Sequence, residues 1–329
     1  MQTKLLAAVA LVTASLAAQN PLAYPADTVR AGSGNLTPFG FSSSPNFDEG
    51  RWQQLIPAHY LPGVPCMLSG IAVNCQSSNA AVAYTNIGIE LSHTTATSLG
   101  NSFSGNLPAP QPVLNAAVTV PWAINTWVTI NFSTPFAYNG RDNLVVSLTK
   151  VYDRVTNPVP GVVTHQTTGS PHRTDLSPAK YAFSAFGLGG STTDVVQFST
   201  NAVLSMRLFS DAPATTTMRS VTQPAGKEYQ IGTAAEYAVF GATGTAWGAF
   251  LDTALQPPIS LPIFQGRLYV SPSILLASGT TAGGVSLFNL PIPNVPSLAG
   301  SYWTMQSATL SASLPVITMS NVIDFFITN

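Results

Sequence analysis

Residues 127–149 constrain the fold of this chain more than any other segment. Apolar and polar residues alternate along WVTINFS and again along NLVVSLT, and a period of two is the pattern of a strand with one buried face. Asn139 and Gly140 stand between the two segments, and this dipeptide is typical of a tight turn between paired strands. The stretch therefore predicts a β-hairpin whose apolar face must be covered by a second sheet.

The alternation also predicts which side chains of this hairpin lie in a core. A register shifted by one residue would turn every one of them to the opposite face, so their burial tests the assignment directly. The side chains expected to be buried are Val128, Ile130, Phe132, Leu144, Val146 and Leu148.

Short segments with strand periodicity recur along the whole chain, and turn residues separate them about every 8–12 residues. This spacing is typical of β-sandwiches, and helical periodicity is scarce. We therefore predict an all-β protein with two antiparallel β-sandwiches in tandem, jelly-roll or immunoglobulin-like, because 329 residues suit two domains better than one. The predicted boundaries are 19–210 for the first sandwich, 211–218 for a linker that begins DAPATTT, and 219–329 for the second.

Three segments have patterns that need separate interpretation. Residues 266–270 are predicted to form a strand of the second sandwich, and residues 272–277 have room for one helical turn at most. Residues 152–178 are polar and rich in turn formers, which predicts a long surface loop.

The amino terminus has the pattern of a secretory signal peptide. Lys4 precedes an apolar run over residues 5–14, and Ser15 and Ala17 place small residues where a signal peptidase cleaves. We predict a signal peptide over residues 1–18, with cleavage after Ala17 or Ala18, and a protein that is secreted or held at the cell surface. The apolar run is too short to span a membrane, and no later stretch is long enough, so no transmembrane segment is predicted.

Charged residues make up 8% of the chain, against about 25% in a typical soluble domain. Uncharged hydroxyl and amide side chains, together with 26 Pro and 25 Gly, take their place. A surface of this kind stays hydrated, but it has little like-charge repulsion and so tolerates self-association. The net charge of −1 predicts no nucleic-acid partner.

Two cysteines, Cys66 and Cys75, remain in the exported chain, and secretion favours a disulfide between them. The bond needs a turn near Ser69 and Gly70. If the segment is one extended strand instead, the cysteines lie roughly 25–30 Å apart and cannot bond. Both alternatives remain open from the sequence.

Catalytic signals are few. Ser177 and Lys180 match an SxxK pattern, but the partner motifs of serine acyl-transferases are absent. His165, His172 and Asp175 share one polar loop with a spacing that fits no metal-ligand pattern, so an exposed loop is the favoured interpretation. We predict no catalytic residues, no bound metal and no cofactor.

Trp122 and Trp127 are the candidate ligand-stacking residues. They flank Asn125, so they could share a rim that stacks sugar rings, and the alternation turns Trp127 away from the Val128 face. The alternative is that the tryptophans pack in a core or at a domain junction, as aromatic residues mostly do, and this alternative is favoured.

Several motifs together resemble secreted modular proteins of planctomycetes and similar aquatic bacteria. In such proteins an N-terminal β-sandwich precedes a terminal module with an IPN…L.G…Q pattern that ends in a strand after SN. The resemblance covers most of the mature chain and implies this modular architecture, but it implies no activity. The motifs that carry it are RWQQLI at 51–56, GIAV at 70–73, NIGIELSHT at 86–94, NSFSGNL at 101–107, TPFAYNGRDNLVVSL at 134–148, GRLYVSPS at 266–273, NLPIPNVPSLAGSYWTMQSA at 289–308 and SNVIDFFI at 320–327.

These observations predict a non-catalytic extracellular protein with a structural or adhesive role, able to assemble with itself. The first alternative is a polysaccharide-binding module, and a more remote one is an enzyme that acts on glycosides. Contacts are expected to be uncharged and therefore insensitive to salt, with the protein itself or an extracellular polysaccharide as partner.

Overall fold

The computed structural model describes residues 22–24, 38–40, 45–75, 81–124, 126–156, 167–169, 179–183, 192–200, 202–204, 206–213, 215, 218–220, 229–310 and 316–328. The protein is all-β, and α-helix is absent from these ranges, as the sequence predicts. Nothing helical in the same ranges has the length and hydropathy that a membrane crossing requires. The predicted signal peptide, residues 1–18, lies outside the described residues.

Among the described residues, twelve strands precede residue 211, and most of them form two facing sheets. One sheet has the order β1-β12-β3-β6, the other has the order β10-β9-β2-β7-β4-β5, and β8 pairs separately with β11. The strands are β1 (Leu22–Tyr24), β2 (Glu49–Ile56), β3 (Cys66–Cys75), β4 (Ala81–Thr94), β5 (Gln111–Pro121), β6 (Thr126–Tyr138), β7 (Asn143–Tyr152), β8 (Thr167–Gly169), β9 (Ala179–Phe183), β10 (Phe198–Thr200), β11 (Ala202–Leu204) and β12 (Met206–Ser210).

A single hydrophobic core lies between these two sheets. It contains inward residues of β3 and β6 from one sheet and of β2, β4 and β7 from the other. Trp52 on β2 is fully buried in it, and Phe39 joins it from the segment before β2. The side chains predicted from the alternation are all buried here: Val128, Ile130, Phe132, Leu144, Val146 and Leu148.

The prediction that residues 127–149 form a hairpin is wrong, although the side chains that it assigned to the buried face are buried. β6 pairs with β3, whereas β7 pairs with β2 and β4 in the opposite sheet. The turn at Asn139 and Gly140 therefore carries the chain across the core from one sheet to the other. A turn motif in the sequence shows where the chain reverses direction. Which strands then pair by hydrogen bonds depends on strands that are distant in sequence.

The part of the second half that the structure describes contains nine strands in two sheets. One has the order β13-β15-β19; the other has the order β14-β21-β20-β16-β18, with β17 also paired to β21. Both β14 and β17 run parallel to β21, and the remaining pairs are antiparallel. The strands are β13 (Met218–Ser220), β14 (Tyr229–Gln230), β15 (Ala234–Phe240), β16 (Ala246–Asp252), β17 (Phe264–Gln265), β18 (Leu275–Thr280), β19 (Val285–Pro291), β20 (Tyr302–Leu310) and β21 (Ile317–Thr328).

Among the described residues, no sheet combines strands that precede residue 211 with strands that follow residue 217. A second hydrophobic core, with Tyr237, Trp247, Met305 and Phe325 among its members, fills the space between the sheets of the second half. Asp211, at the start of the predicted linker, is bonded to β3, because its carboxylate accepts the Met67 amide at 2.7 Å. The proposed domain boundaries remain a prediction.

Residues 272–277 contain no helix, which agrees with the prediction of one helical turn at most, and Leu275 begins β18. Local assignments differ from the sequence prediction at two places. Residues 266–270 form no strand and only an isolated bridge, between Leu268 and Ile259. Within the predicted loop of 152–178, β8 pairs with β11.

Candidate functional site

The two halves meet around a buried carboxylate. Asp324 on β21 is 1% exposed, and its Oδ2 accepts the hydroxyl of Tyr60 from the first half at 2.5 Å. The hydroxyl of Tyr302, on β20, donates to the same oxygen at 2.6 Å. The backbones also come close nearby, since a Cβ atom built on Gly63 would lie 2.7 Å from the Cα of Gly266.

A polar cleft of about 560 Å³ opens beside this contact and is lined from both halves. The volume lies within the range of small-molecule sites. Its residues are mainly hydroxyl, amide and charged side chains, with two aromatic rings. The lining consists of Ala58, His59, Thr94, Thr95, Thr97, Arg141, Asp142, Asn143, Pro258, Ser260, Arg267 and Tyr269.

One wall of the cleft is a ribbon of two extended segments, 256–260 and 267–270. The amide of Gln256 donates to the carbonyl of Tyr269 at 2.8 Å, and Ile259 exchanges backbone hydrogen bonds with Leu268. Side chains of an extended segment alternate between two faces. The ribbon therefore turns Arg267 and Tyr269 to the cleft, whereas Leu268 and Val270 line a separate cavity on its other side.

That second cavity, of about 540 Å³, is more apolar and lies within the second half. Asp252 stands at its border and accepts hydrogen bonds from the Thr253 amide at 2.7 Å, the Gln256 side chain at 3.1 Å and the Ser271 amide at 3.2 Å. Partial burial raises the pKa of Asp252, but these hydrogen bonds outweigh it and the pKa is lowered. The carboxylate serves to hold the ends of the ribbon together.

Electrostatics in the polar cleft centre on Arg267. Burial raises the pKa of Tyr269, and the hydrogen bond and positive charge of Arg267 oppose the rise. The Nη1 of Arg267 donates to the backbone carbonyl of Arg141 at 3.3 Å, so the two guanidinium-bearing residues lie side by side. The ring of His59 lies 5.8 Å from that of Tyr269, edge to face. Sequence reasoning singled out neither arginine.

The structure does not bring Trp122 and Trp127 together on a rim. Trp122 is 2% exposed; its ring packs 5.5 Å from that of Phe39, and its Nε1 donates to the hydroxyl of Tyr84 at 3.2 Å. Trp127 is half-buried on the outer face, with the guanidinium of Arg207 4.2 Å above its ring. The core-packing alternative is therefore correct for Trp122, and the paired stacking platform is wrong.

Cys66 and Cys75 stand at opposite ends of the unbroken strand β3, and no disulfide joins them. At about 3.3 Å per residue the separation is roughly 30 Å, far beyond disulfide reach. Burial and the nearby Asp211 carboxylate, opposed by a hydrogen bond with Ser210, raise the pKa of the Cys66 thiol to about 12. The extended-strand alternative is therefore the correct one, and Cys66 is held as an unreactive thiol.

The remaining sequence candidates form no site among the described residues. Ser177, His165, His172 and Asp175 lie outside them. Lys180, the other end of the SxxK match, is buried on β9 and its Nζ donates to Ser199 at 3.2 Å. No group of three or more His, Cys, Asp or Glu side chains within the described ranges could hold a metal ion.

A second candidate surface is one edge of the second half, here called the open edge and defined as β18 with β19. Each strand is the last in its sheet order, and a short turn at 281–284 joins them, so both edges lie on the same side. Among the described residues, no further strand pairs with either. Leu275 is 58% exposed on β18 and Leu287 is 53% exposed on β19.

No protein-family model matches this sequence, and no curated protein matches it. Among solved structures, the chain is similar to red sea bream transglutaminase, with 9% identity and a TM-score of 0.20. The similarity covers 84% of this chain and 31% of the transglutaminase chain. So low a TM-score supports neither a fold nor an activity for this protein.

Proposed function

We propose that this chain is a secreted, non-catalytic protein of the cell surface or extracellular matrix that associates with further copies of itself. The observation that carries the proposal is the open edge. A strand edge presents unpaired N–H and C=O groups, and proteins usually guard such edges with Lys, Pro or charged side chains. β18, with the sequence LLASGT, has none of these, and it exposes Leu275.

The charge distribution supports the same proposal. No Asp, Glu, Lys, Arg or His occurs between Arg267 and Asp324, and Asp324 itself is buried. Two copies that meet at the open edge would therefore bring together uncharged surfaces, without like-charge repulsion. An antiparallel contact between two β18 strands would satisfy the same backbone groups on both copies.

A non-catalytic role is supported by how the carboxylates are used. Every described aspartate accepts a hydrogen bond from within the chain, which gives each a structural task. Asp48 is paired with Arg154, Asp142 with Asn139, and Asp194 with Ser102. Secretion is supported by the signal-peptide pattern of residues 1–18, and the modular architecture by the resemblance to planctomycete secreted proteins.

Sedimentation of the mature chain, residues 19–329, tests this assembly. We expect oligomers at both low and high salt, because uncharged contacts are not screened. Leu275→Lys should abolish them by placing a charge on the open edge. Leu261→Lys is the matched control, since Leu261 is 45% exposed outside that edge. A chain that stays monomeric at every concentration, or assembly that survives Leu275→Lys, contradicts the proposal.

The second candidate function is polysaccharide binding, and a specific observation favours it. The polar cleft between the halves presents hydroxyl, amide, guanidinium and aromatic groups in one concave site. This combination suits sugar rings, which have both hydroxyl edges and apolar faces. The candidate therefore rests on the cleft and no longer on Trp122.

A further inference from the structure

We propose that the polar cleft binds an acidic saccharide, one whose sugar rings carry a carboxylate or a sulfate ester, through Arg141 and Arg267. The inference deepens the polysaccharide-binding candidate and rests on it. It also departs from the uncharged contacts expected from the composition, because the cleft collects charges that the surrounding surface lacks.

The first support is the placement of the two arginines. They come from opposite halves of the chain, yet the Nη1 of Arg267 reaches the Arg141 carbonyl at 3.3 Å. The chain has only 12 basic residues in all, so two in one cleft are a local concentration. Two guanidinium groups that line the same cleft suit an oxyanion, which their planar forks can bind with parallel hydrogen bonds.

The second support is that the Arg141 guanidinium is little used within the protein. Its side chain is 74% exposed, and its Nε lies 4.0 Å from the Asp142 carboxylate, beyond hydrogen-bond distance. Asp142 is itself held by the Asn139 side-chain amide at 2.8 Å. The backbone carbonyl of Arg141 accepts the hydrogen bond from Arg267, so this contact between the halves does not use the Arg141 guanidinium. The side chain can therefore turn to a ligand without a loss elsewhere.

The third support is the chemistry of the remaining lining. Tyr269 and His59 supply ring surface, on which the apolar face of a sugar ring can pack. Thr95, Thr97 and Ser260 are exposed hydroxyls on the rim, which can exchange hydrogen bonds with sugar hydroxyls. A simple inorganic anion would use the arginines alone, whereas an acidic saccharide uses the whole cleft.

Calorimetric titration of the mature chain tests the inference with three tetrasaccharides of galactose type. One is neutral, one has galacturonate rings, and one carries sulfate esters. We expect at least one acidic probe to bind, with the neutral probe at least tenfold weaker and the acidic affinity falling as salt rises. The two acidic arms separate a carboxylate ligand from a sulfate-ester ligand.

Arg141→Gln is the variant of choice, because it keeps the backbone carbonyl that Arg267 uses. We expect it to weaken the acidic probe at least tenfold, which corresponds to about 1.4 kcal/mol. Arg219→Gln is the control, since the Arg219 guanidinium stacks 5.2 Å from the Phe240 ring away from the cleft. Tyr269→Ala is a second variant and should weaken binding through lost ring contact.

The possible failures are distinguishable. Equal binding of neutral and acidic probes, unchanged by Arg141→Gln, overturns the inference but leaves the polysaccharide-binding candidate. Absence of binding by all three probes overturns both. Neither result bears on assembly at the open edge, which is expected to be insensitive to salt.

Discussion

Lys150 shows how strongly burial can change a single ionisable group. It lies on β7 on the same face as Leu148, is 1% exposed, and its Nζ donates to the Gly40 carbonyl. Burial lowers the pKa of the Lys150 ammonium to about 7, and the Asp48 carboxylate opposes the change. An ordinary lysine has a pKa near 10.5, so the folded protein releases this proton at a much lower pH than the unfolded chain.

Stability should therefore rise with pH over this range. Between about pH 7 and pH 10.5 the unfolded state binds a proton that the folded state has lost, so the free energy of unfolding increases with pH. We expect the increase to be at most about 4–5 kcal/mol. Lys150→Met should remove it and stabilise the protein near pH 7, as urea unfolding at several pH values would show. A pH profile that Lys150→Met leaves unchanged would contradict this prediction.

Single residues also show which structural features can be predicted from the sequence. The alternation correctly predicted the burial of Phe132, because burial on a strand follows a period of two. Trp122 was harder to place, since its partners Phe39 and Tyr84 are far away in sequence. Arg267 alternates with buried Leu268 and Val270, and that signal could have marked it as a surface group. Nothing local showed that Arg141 lies beside it.

At the scale of elements, the connection between β6 and β7 depends on one glycine. Gly140 has φ of +71°, and a Cβ atom there would lie 2.3 Å from the carbonyl carbon of Val64. The turn must therefore adopt a left-handed conformation and pack closely against a neighbouring backbone. The turn itself does not decide which strands pair. That is decided by the partners of β6 and β7, which are β3 for β6 and β2 and β4 for β7.

An alanine in a left-handed conformation costs about 1–2 kcal/mol. We expect Gly140→Ala to lower the free energy of unfolding by more than this amount, because its Cβ atom would also clash with Val64. Gly244→Ala is a suitable comparison, because Gly244 has φ of +84° with no atom within 4 Å of a built Cβ. We expect only that smaller cost from Gly244→Ala when both variants are unfolded in urea. Equal losses for the two variants would mean that the contact with Val64 relaxes freely.

For the whole molecule, the contact between the halves can be separated from the packing inside each half. Tyr60→Phe and Tyr302→Phe each remove one hydrogen bond to Asp324 Oδ2, but only Tyr60 comes from the first half. A hydrogen bond to a carboxylate contributes about 1.5–3 kcal/mol. In calorimetry we expect Tyr60→Phe to separate the unfolding transitions of the halves, whereas Tyr302→Phe should keep them joined and lower their common melting temperature. Identical thermograms for the two variants would argue against coupling through Tyr60.

The close approach of Gly63 and Gly266 has a consequence for how the halves are spaced. Where side chains form a contact, alternative rotamers allow neighbouring bodies to settle at several distances. Two backbones in contact have no rotamers, so ordering this point costs no side-chain entropy. The separation of the halves here is set by van der Waals contact between two backbones, so substitutions among the surrounding side chains should leave it unchanged.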